Sequence, residues 1–238
     1  MTLQLLLDSA DPSKWEAWLP TGLFAGITTN PTLLRRAQQP CQLDHLKSLA
    51  AAAERLGCLE LHLQAWGKHA IELAECGAAL AQLTTPALTV HVKLPITQAG
   101  SQAASTLITA EIPITFTACF EAPQVLIAAA LGAQHIAPYL GRINDQGRDG
   151  YTELIAMQRA LEGVGSSCKL LVASLRSRRD LSHLAAAGID TFTISAELAE
   201  ELFEVKATLD AAAAFEQDAC SGAWTTRSPM QPPLQFPH

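Results

Sequence analysis

The sequence predicts one (β/α)8 barrel, and three observations support this fold class. The chain has 238 residues, which suits one such barrel of about 250 residues and is too short for two ordinary enzyme domains. Short apolar runs alternate with longer, Ala-rich amphipathic segments, which is the rhythm of βαβ units in a parallel sheet. Hydrophobic residues make up 49% of the chain and aromatic residues only 5%, so Ala, Leu, Ile and Val are expected to build a layered core.

The apolar runs are the candidate strands, and eight βα units favour a closed barrel over an open sheet. A doubly wound sheet is disfavoured because no G-x-G-x-x-G motif follows the first run, and Gly163 and Gly165 come after a helix. The candidate strands are Leu3–Asp8, Leu23–Thr28, Leu59–Gln64, Leu88–Leu94, Ile114–Phe120, His135–Tyr139, Lys169–Ser174 and Thr191–Ser195. The main helices expected between them are Asp44–Leu56, Lys68–Leu83, Gln98–Ala110, Pro123–Leu131, Thr152–Leu161 and Arg178–Ala187.

The C-terminal part of the chain extends beyond the eighth strand. A further helix is predicted over about Val205–Asp218. We therefore expect residues 1–220 to form a single barrel domain that includes this additional helix. Residues 221–238 are rich in proline and are expected to be an irregular tail.

Composition excludes several classes of function. The formal net charge is −7 and no basic run is longer than a pair such as Arg178–Arg179, which argues against nucleic acid and favours small-molecule substrates. The 6 cysteines lack CxxC spacing and are expected to be reduced thiols of a cytoplasmic protein. The N-terminus has no basic leader and no apolar run could span a bilayer, so neither export nor membrane insertion is expected.

The alternation of side chains along the strands indicates which groups face the barrel interior. Successive residues point to opposite faces, and the apolar set of a barrel strand faces outward against its helix. In Thr89–Leu94 every second residue is Val or Leu, so Lys93 faces the lumen. Asp8, Tyr139 and Ser174 stand at the C-terminal ends of three other strands, where barrel enzymes carry their active sites. The same alternation turns further polar residues inward: Thr89, Glu60, His62, Gln64, His91, Thr115, Thr117, Thr191, Thr193 and Ser195.

Lys93 is the most informative of these residues. Desolvation of its ammonium group inside a barrel is expected to lower its pKa and to make the neutral amine available as a nucleophile for a carbonyl carbon. The alternative is an ammonium group paired with Asp8 or Glu60 that has only a structural role. From the residues alone, both interpretations remain open.

Three segments resemble the signatures of a known family. They are Ala25–Thr32 (AGITTNPT), Val92–Thr97 (VKLPIT) and Ala137–Ile143 (APYLGRI). The chain resembles the transaldolase family from Leu5 to about Asp218, and especially its short branch, which contains fructose-6-phosphate aldolase. The resemblance implies a class I, metal-free barrel enzyme without a cofactor. The sequence also lacks an HExxH-like motif that would indicate a metal site.

The resemblance also implies roles for individual residues. Lys93 lies where the family has its Schiff-base lysine, and Asp8 matches an aspartate that contacts sugar hydroxyls and assists proton transfer. Thr117 matches the threonine that holds the catalytic water, and Tyr139 matches the acid/base tyrosine of the aldolase branch. Asn30 matches an asparagine that hydrogen-bonds the sugar, and Arg142, Ser174 and Arg176 match positions that bind the phosphate. The other positions implied to bind substrate are Thr28, Thr115 and Ala137.

Several of these residues also have a purely structural explanation. Asp8 can cap the turn that follows it, and Thr117 can fill a barrel layer as an ordinary strand residue. Asn30 precedes a proline and is a natural helix N-cap. Arg176 lies close to two further arginines that are expected on a solvated helix face.

The two branches of the family differ in residue type at a few positions of the site. Ala137 and Tyr139 match the aldolase pattern, whereas transaldolases typically carry serine and phenylalanine there. Thr115 replaces an asparagine that is usual in transaldolases. His62 stands where either branch has a glutamate or glutamine that positions the catalytic water. A neutral His62 could hold this water, and a protonated one would destabilise the iminium.

The resemblance therefore implies aldol cleavage and formation on ketose phosphates through a dihydroxyacetone enamine, as in fructose-6-phosphate aldolase. A transaldolase that transfers dihydroxyacetone between sugar phosphates is the first alternative. A catalytically silent barrel that binds sugar phosphates through Arg142 and Arg176 is the second. The family also implies a homo-oligomer, a pentamer or decamer, in which the C-terminal helix packs on a neighbouring subunit.

Overall fold

The computed structural model describes residues 3–221, and its central feature is a closed barrel of parallel strands in the order of the sequence. This confirms the predicted (β/α)8 fold. The strands are β1 (Gln4–Asp8), β2 (Gly26–Thr28), β3 (Glu60–Gln64), β4 (Thr89–Pro95), β5 (Ile114–Cys119), β6 (His135–Pro138), β7 (Lys169–Val172) and β8 (Thr191–Ile194). Pairing of β1 with β8 closes the barrel.

The helices fall into a long set that covers the barrel and a short set in the loops. The long helices match the predicted ones to within a few residues: α3 (Leu43–Arg55), α4 (Ala70–Ala81), α5 (Gln98–Thr109), α6 (Gln124–Leu131), α8 (Gly150–Gly163), α9 (Arg178–Ala186) and α11 (Lys206–Ser221). The short helices were not among the predicted ones: α1 (Pro12–Trp18), α2 (Pro31–Arg36), α7 (Leu140–Asp145) and α10 (Ala196–Phe203). These helices have only six to eight residues, so apolar periodicity indicates them weakly. Helix α6 is as short as α10 but consists almost entirely of apolar residues.

Side-chain alternation along the strands follows the prediction. In β4, Val90, Val92 and Leu94 are fully buried, and this strand contacts α4 and α5. Lys93 and His91, on the opposite face, are also buried, at 5% and 8% exposure, because they point into the barrel interior. The apolar layer between strands and helices is therefore separate from a polar layer inside the barrel.

Strand β5 departs from simple alternation. Its pairing with β6 shifts register between Phe116 and Cys119, and Ala118 has a φ of 59°. One extra residue on one strand is the signature of a β-bulge, which bends the strand and re-aims neighbouring side chains. The bulge lies directly after Thr117, near the C-terminal end of β5.

The described residues divide into two compact units, residues 3–199 and residues 200–221. The first contains the barrel. In the second, α11 leaves Leu209 and Phe215 exposed, at 56% and 72%. The irregular tail expected for residues 221–238 lies outside the described residues, apart from Ser221, which ends α11. Within residues 3–221, no helix is both long and apolar enough to cross a membrane.

Candidate active site

A cleft of about 190 Å³ opens at the C-terminal ends of the strands. Strand ends and the loops after them build the active sites of (β/α)8 enzymes because the connecting loops vary without disturbing the barrel. Many of the residues that the sequence predicts for the site line this cleft: Asp8, Thr28, Asn30, Lys93, Ala137, Tyr139, Arg142 and Ser174.

Lys93 lies at the floor of the cleft. Its Nζ donates a hydrogen bond of 2.8 Å to the backbone oxygen of Thr29. Burial lowers the pKa of Lys93, while the nearby Asp8 opposes this shift. The direction matches the sequence prediction, because burial favours a neutral primary amine that can act as a nucleophile.

Asp8 ends β1 and is held by its neighbour on β2. The Thr28 hydroxyl donates a hydrogen bond of 2.8 Å to Asp8 Oδ1 and also contacts the hydroxyl of Thr193. Burial raises the pKa of Asp8, while Lys93 and the Thr28 hydrogen bond lower it. The turn after β1 is capped by Asp11, whose carboxylate accepts from the backbone NH of Ser13, so capping does not account for Asp8.

Tyr139 and Thr117 form a hydroxyl pair above the bulge. Thr117 Oγ1 and Tyr139 OH are 2.6 Å apart, and Thr117 is only 2% exposed. Phe120 packs edge-on against the tyrosine ring, and the Arg142 guanidinium carbon lies 4.7 Å from the ring centroid. The phenol is thereby oriented from three sides, with its hydroxyl linked to that of Thr117.

Asn30 acts as a helix cap. Its side-chain oxygen accepts hydrogen bonds from the backbone NH groups of Thr32 and Leu33, at 2.9 and 3.0 Å, and Pro31 is the first residue of α2. This confirms the capping explanation. Asn30 also lines the cleft, so the same residue fixes the start of α2 and faces the cleft.

Cationic side chains lie around the cleft opening. Arg142, at the start of α7, lines the cleft with Ser174, whose φ of 60° is a strained conformation of the kind found at functional sites. Arg36, the last residue of α2, also lines the cleft. Sequence reasoning missed Arg36. Leu33 also lines the cleft and lies three residues before Arg36, which puts both on one face of α2.

Arg176 is engaged elsewhere. Its guanidinium forms a two-pronged ion pair with the carboxylate of Asp145, with one contact of 2.7 Å between Nη1 and Oδ1. Both side chains are more than half exposed. The role predicted for Arg176 in phosphate binding therefore stays a prediction, in which a phosphate must compete with Asp145.

His62 and Thr115 lie deeper in the barrel than the cleft residues. His62 is fully buried, and its Nδ1 lies 2.9 Å from Thr115 Oγ1. Its ring stacks on that of His91 at 4.4 Å. The proposal that His62 positions a catalytic water, and that Thr115 contacts substrate, stays a prediction.

Comparison with known proteins agrees with this geometry. Residues 5–227 match the family model described as Transaldolase/Fructose-6-phosphate aldolase. A "Probable transaldolase" of Caulobacter vibrioides (strain NA1000 / CB15N) is 32% identical over 203 residues, which are 85% of this chain and 89% of that protein. A "Probable transaldolase" of Methanococcus maripaludis (strain C5 / ATCC BAA-1333) is 28% identical over 218 residues, covering 91% and 97%.

A solved structure described as native KDPGal has a TM-score of 0.57 at 13% identity, and the match covers 82% of each chain. At that identity the likeness concerns the fold alone. The family match spans nearly the whole barrel and includes each strand that contributes to the cleft. This chain belongs to the transaldolase/fructose-6-phosphate aldolase family and is an enzyme of the aldolase/transaldolase type.

Proposed function

We propose that this enzyme cleaves fructose 6-phosphate and related ketose phosphates through a Schiff base on Lys93, releasing dihydroxyacetone. The observation that carries the proposal is the position of the Lys93 amine, which is 5% exposed and lies at the floor of a cleft lined by Asp8, Tyr139 and Arg142. An amine in such surroundings suits imine formation with a ketose carbonyl.

The proposed reaction begins when Lys93 Nζ attacks C2 of the ketose and water leaves, which gives an iminium. A base removes the proton of the C4 hydroxyl and the C3–C4 bond breaks. The bond electrons flow into the iminium, so the products are an aldehyde and an enamine on Lys93. Protonation of the enamine at C3 and hydrolysis then free dihydroxyacetone and restore the amine.

Tyr139 is the proposed proton donor to the enamine carbon. The 2.6 Å contact with Thr117 Oγ1 supports this role because a paired hydroxyl can pass a proton and orient a water. Asp8, hydrogen-bonded to Thr28, is proposed to contact sugar hydroxyls and to assist proton transfer during imine formation. Arg142 and Ser174 are proposed to bind the phosphate of the aldehyde, with Arg36 on the same cleft.

A transaldolase is the second candidate, because curated relatives carry the name "Probable transaldolase". In that reaction the enamine waits for an aldose phosphate instead of a proton. Tyr139 favours cleavage, since its phenol supplies a proton where phenylalanine would not.

A two-substrate assay tests the proposal. Fructose 6-phosphate alone is expected to give glyceraldehyde 3-phosphate, at a rate higher than that of sedoheptulose 7-phosphate formation when erythrose 4-phosphate is added. Faster transfer than cleavage would make transaldolase the better assignment. Turnover in neither arm, together with retained sugar-phosphate binding, would favour a catalytically silent barrel.

A further inference from the structure

Three histidines meet inside the barrel, apart from the residues used above in the proposed reaction. His62 on β3, His91 on β4 and His135 on β6 each offer a ring nitrogen, and these nitrogens lie within 4.8 Å of one another. All three side chains are buried, at 0%, 8% and 7% exposure. The ring centroids of His135 lie 5.4 and 5.3 Å from those of the other two.

Glu60, the first residue of β3, lies beside two of these histidines. Its Oε2 lies 3.4 Å from His62 Nε2 and 3.3 Å from His91 Nε2. These separations are at the long limit of a hydrogen bond.

The hydrogen bonding of the cluster is incomplete. Among the described residues, Nδ1 of His91 and Nδ1 of His135 are buried without a hydrogen-bond partner. Buried polar atoms in native proteins are rarely unpaired, and an unpaired one calls for an explanation such as an ion. Burial lowers the pKa of all three imidazoles, that of His135 to about 3. Neutral imidazole is the form that binds metals.

Neighbouring residues hold the side chains of this cluster in place. Thr115 Oγ1 lies 2.9 Å from His62 Nδ1, which fixes the ring and leaves Nε2 directed to Glu60, as the outer partners of metal-bound histidines do. Gln4 Nε2 donates to Glu60 Oε1. Gly26 leaves room for the carboxylate side chain, because a Cβ there would lie 2.4 Å from Glu60 Cγ.

We propose that His62, His91 and His135, with Glu60 as the fourth ligand, form a binding site for Zn²⁺ or a similar transition-metal ion in the amino-terminal half of the barrel. Imidazole nitrogens and carboxylate oxygens are both donors that zinc binds in four-coordinate sites. The site is structural, since four protein ligands leave no open position. It departs from the sequence-based expectation of a metal-free chain and does not depend on the proposed function.

Binding requires a local adjustment of the rings. The rings of His62 and His91 are nearly parallel, with an interplanar angle of 7°, so at least one must turn for both lone pairs to converge on one ion. His91 can turn without breaking a hydrogen bond at Nδ1. The bound ion links β3, β4 and β6, and it is expected to stabilise the barrel by the usual linkage between binding and folding.

Zinc titration of the full-length protein tests the site directly. Wild-type protein stripped with EDTA and dialysed is expected to bind one Zn²⁺ per chain in calorimetry, and Zn²⁺ is expected to raise its melting temperature. X-ray absorption of the zinc-loaded protein should show three imidazole nitrogens at about 2.0–2.1 Å and one oxygen. Wild-type protein that takes up no zinc, or a zinc shell without histidine, would overturn the proposal whatever the variants do.

Matched variants locate the ion. His91→Gln and His135→Gln are expected to weaken zinc binding by about tenfold or more, and His69→Gln, an exposed histidine outside the cluster, should leave it unchanged. Zinc binding that persists in both cluster variants, or disappears with His69→Gln, would contradict the site. If a cluster variant does not fold, the zinc stoichiometry of the wild type and the ligands seen by X-ray absorption decide whether the site exists.

Discussion

At the scale of single residues, the chemistry depends on groups that the barrel desolvates. Lys93 and Asp8 lie on neighbouring parts of the cleft, and burial favours the uncharged form of each. Each group also opposes the shift of the other by charge attraction. Tyr139 and Thr117 add a hydroxyl pair at 2.6 Å. In the proposed reaction these side chains are the nucleophile, the carboxyl group and the proton relay.

Tyr139→Phe is expected to depress cleavage of fructose 6-phosphate and to shift the balance of products towards transfer. The phenylalanine keeps the ring and its contact with Phe120 but loses the hydroxyl next to Thr117, at a loss of stability of about 1 kcal/mol. The ratio of cleavage to transfer rates, with a thermal melt as the control for folding, measures this. An unchanged ratio would rule out a proton-donor role for Tyr139.

Arg142→Ala is expected to raise KM for phosphorylated aldehydes about tenfold or more, with little change for unphosphorylated ones, because it removes a charge-assisted contact. Arg176→Ala should have a smaller effect, since Asp145 holds that guanidinium. Arg159→Ala, an exposed arginine of α8, is the matched control. An equal loss for both aldehyde types would make Arg142 structural.

At the scale of elements, the strands could be predicted closely and the short helices could not. Lys93 was placed in the lumen by the alternation of Thr89–Leu94 alone, because one face of that strand is strictly apolar. The bulge at Ala118 escaped prediction, since a positive φ at alanine carries no sequence signal. The cluster of His62, His91 and His135 could not be predicted either. Its residues come from three separate strands that only the closed barrel brings together, and no local sequence pattern indicates this.

Asp180 shows how one side chain sets the position of a helix near the site. It closes the capping box of α9 with Ser177, accepts a hydrogen bond of 2.6 Å from Tyr151 OH on α8, and accepts one of 2.9 Å from the backbone NH of Arg176. Asp180→Ala is expected to destabilise the protein by about 2–3 kcal/mol, because it removes a cap and leaves several partly buried donors unpaired. Urea unfolding at neutral pH measures this, and a change below about 0.5 kcal/mol would contradict it.

The same residue predicts a pH dependence. Burial raises the pKa of Asp180, but hydrogen bonds from Tyr151, Arg176 and Ser177 outweigh it and hold the pKa below its usual value. Its stabilising contribution is therefore present above the unfolded pKa of about 3.9 and is lost as pH falls through the lower folded value. The stability difference between wild type and Asp180→Asn should shrink below about pH 4, and a difference that grows in acid would refute the assignment.

At the scale of the whole molecule, the barrel and the C-terminal residues have different surfaces. The strands bury their apolar faces under the helices, whereas α11 leaves Leu209 and Phe215 exposed in the single chain. Exposed apolar side chains on one helix are typical of surfaces that another protein covers. This agrees with the sequence-based expectation of a homo-oligomer, which stays a prediction.

Deletion of the chain from Val205 onward is expected to reduce the size of the assembly in sedimentation velocity. The double variant Leu209→Ser/Phe215→Ser tests the same surface without shortening the chain, and Leu126→Ser, an exposed apolar residue on α6, serves as its control. An assembly of unchanged size after the deletion would show that this helix makes no contact between subunits.

The central claim is that Lys93 forms the covalent intermediate, and borohydride trapping with fructose 6-phosphate tests it most directly. We predict a reduced, dihydroxyacetone-derived adduct that peptide mass spectrometry places on Lys93. A folded Lys93→Met variant, which has no nucleophile, should give no adduct and no turnover. An adduct on another lysine, or turnover by Lys93→Met comparable to that of the wild type, would contradict a Schiff base on Lys93.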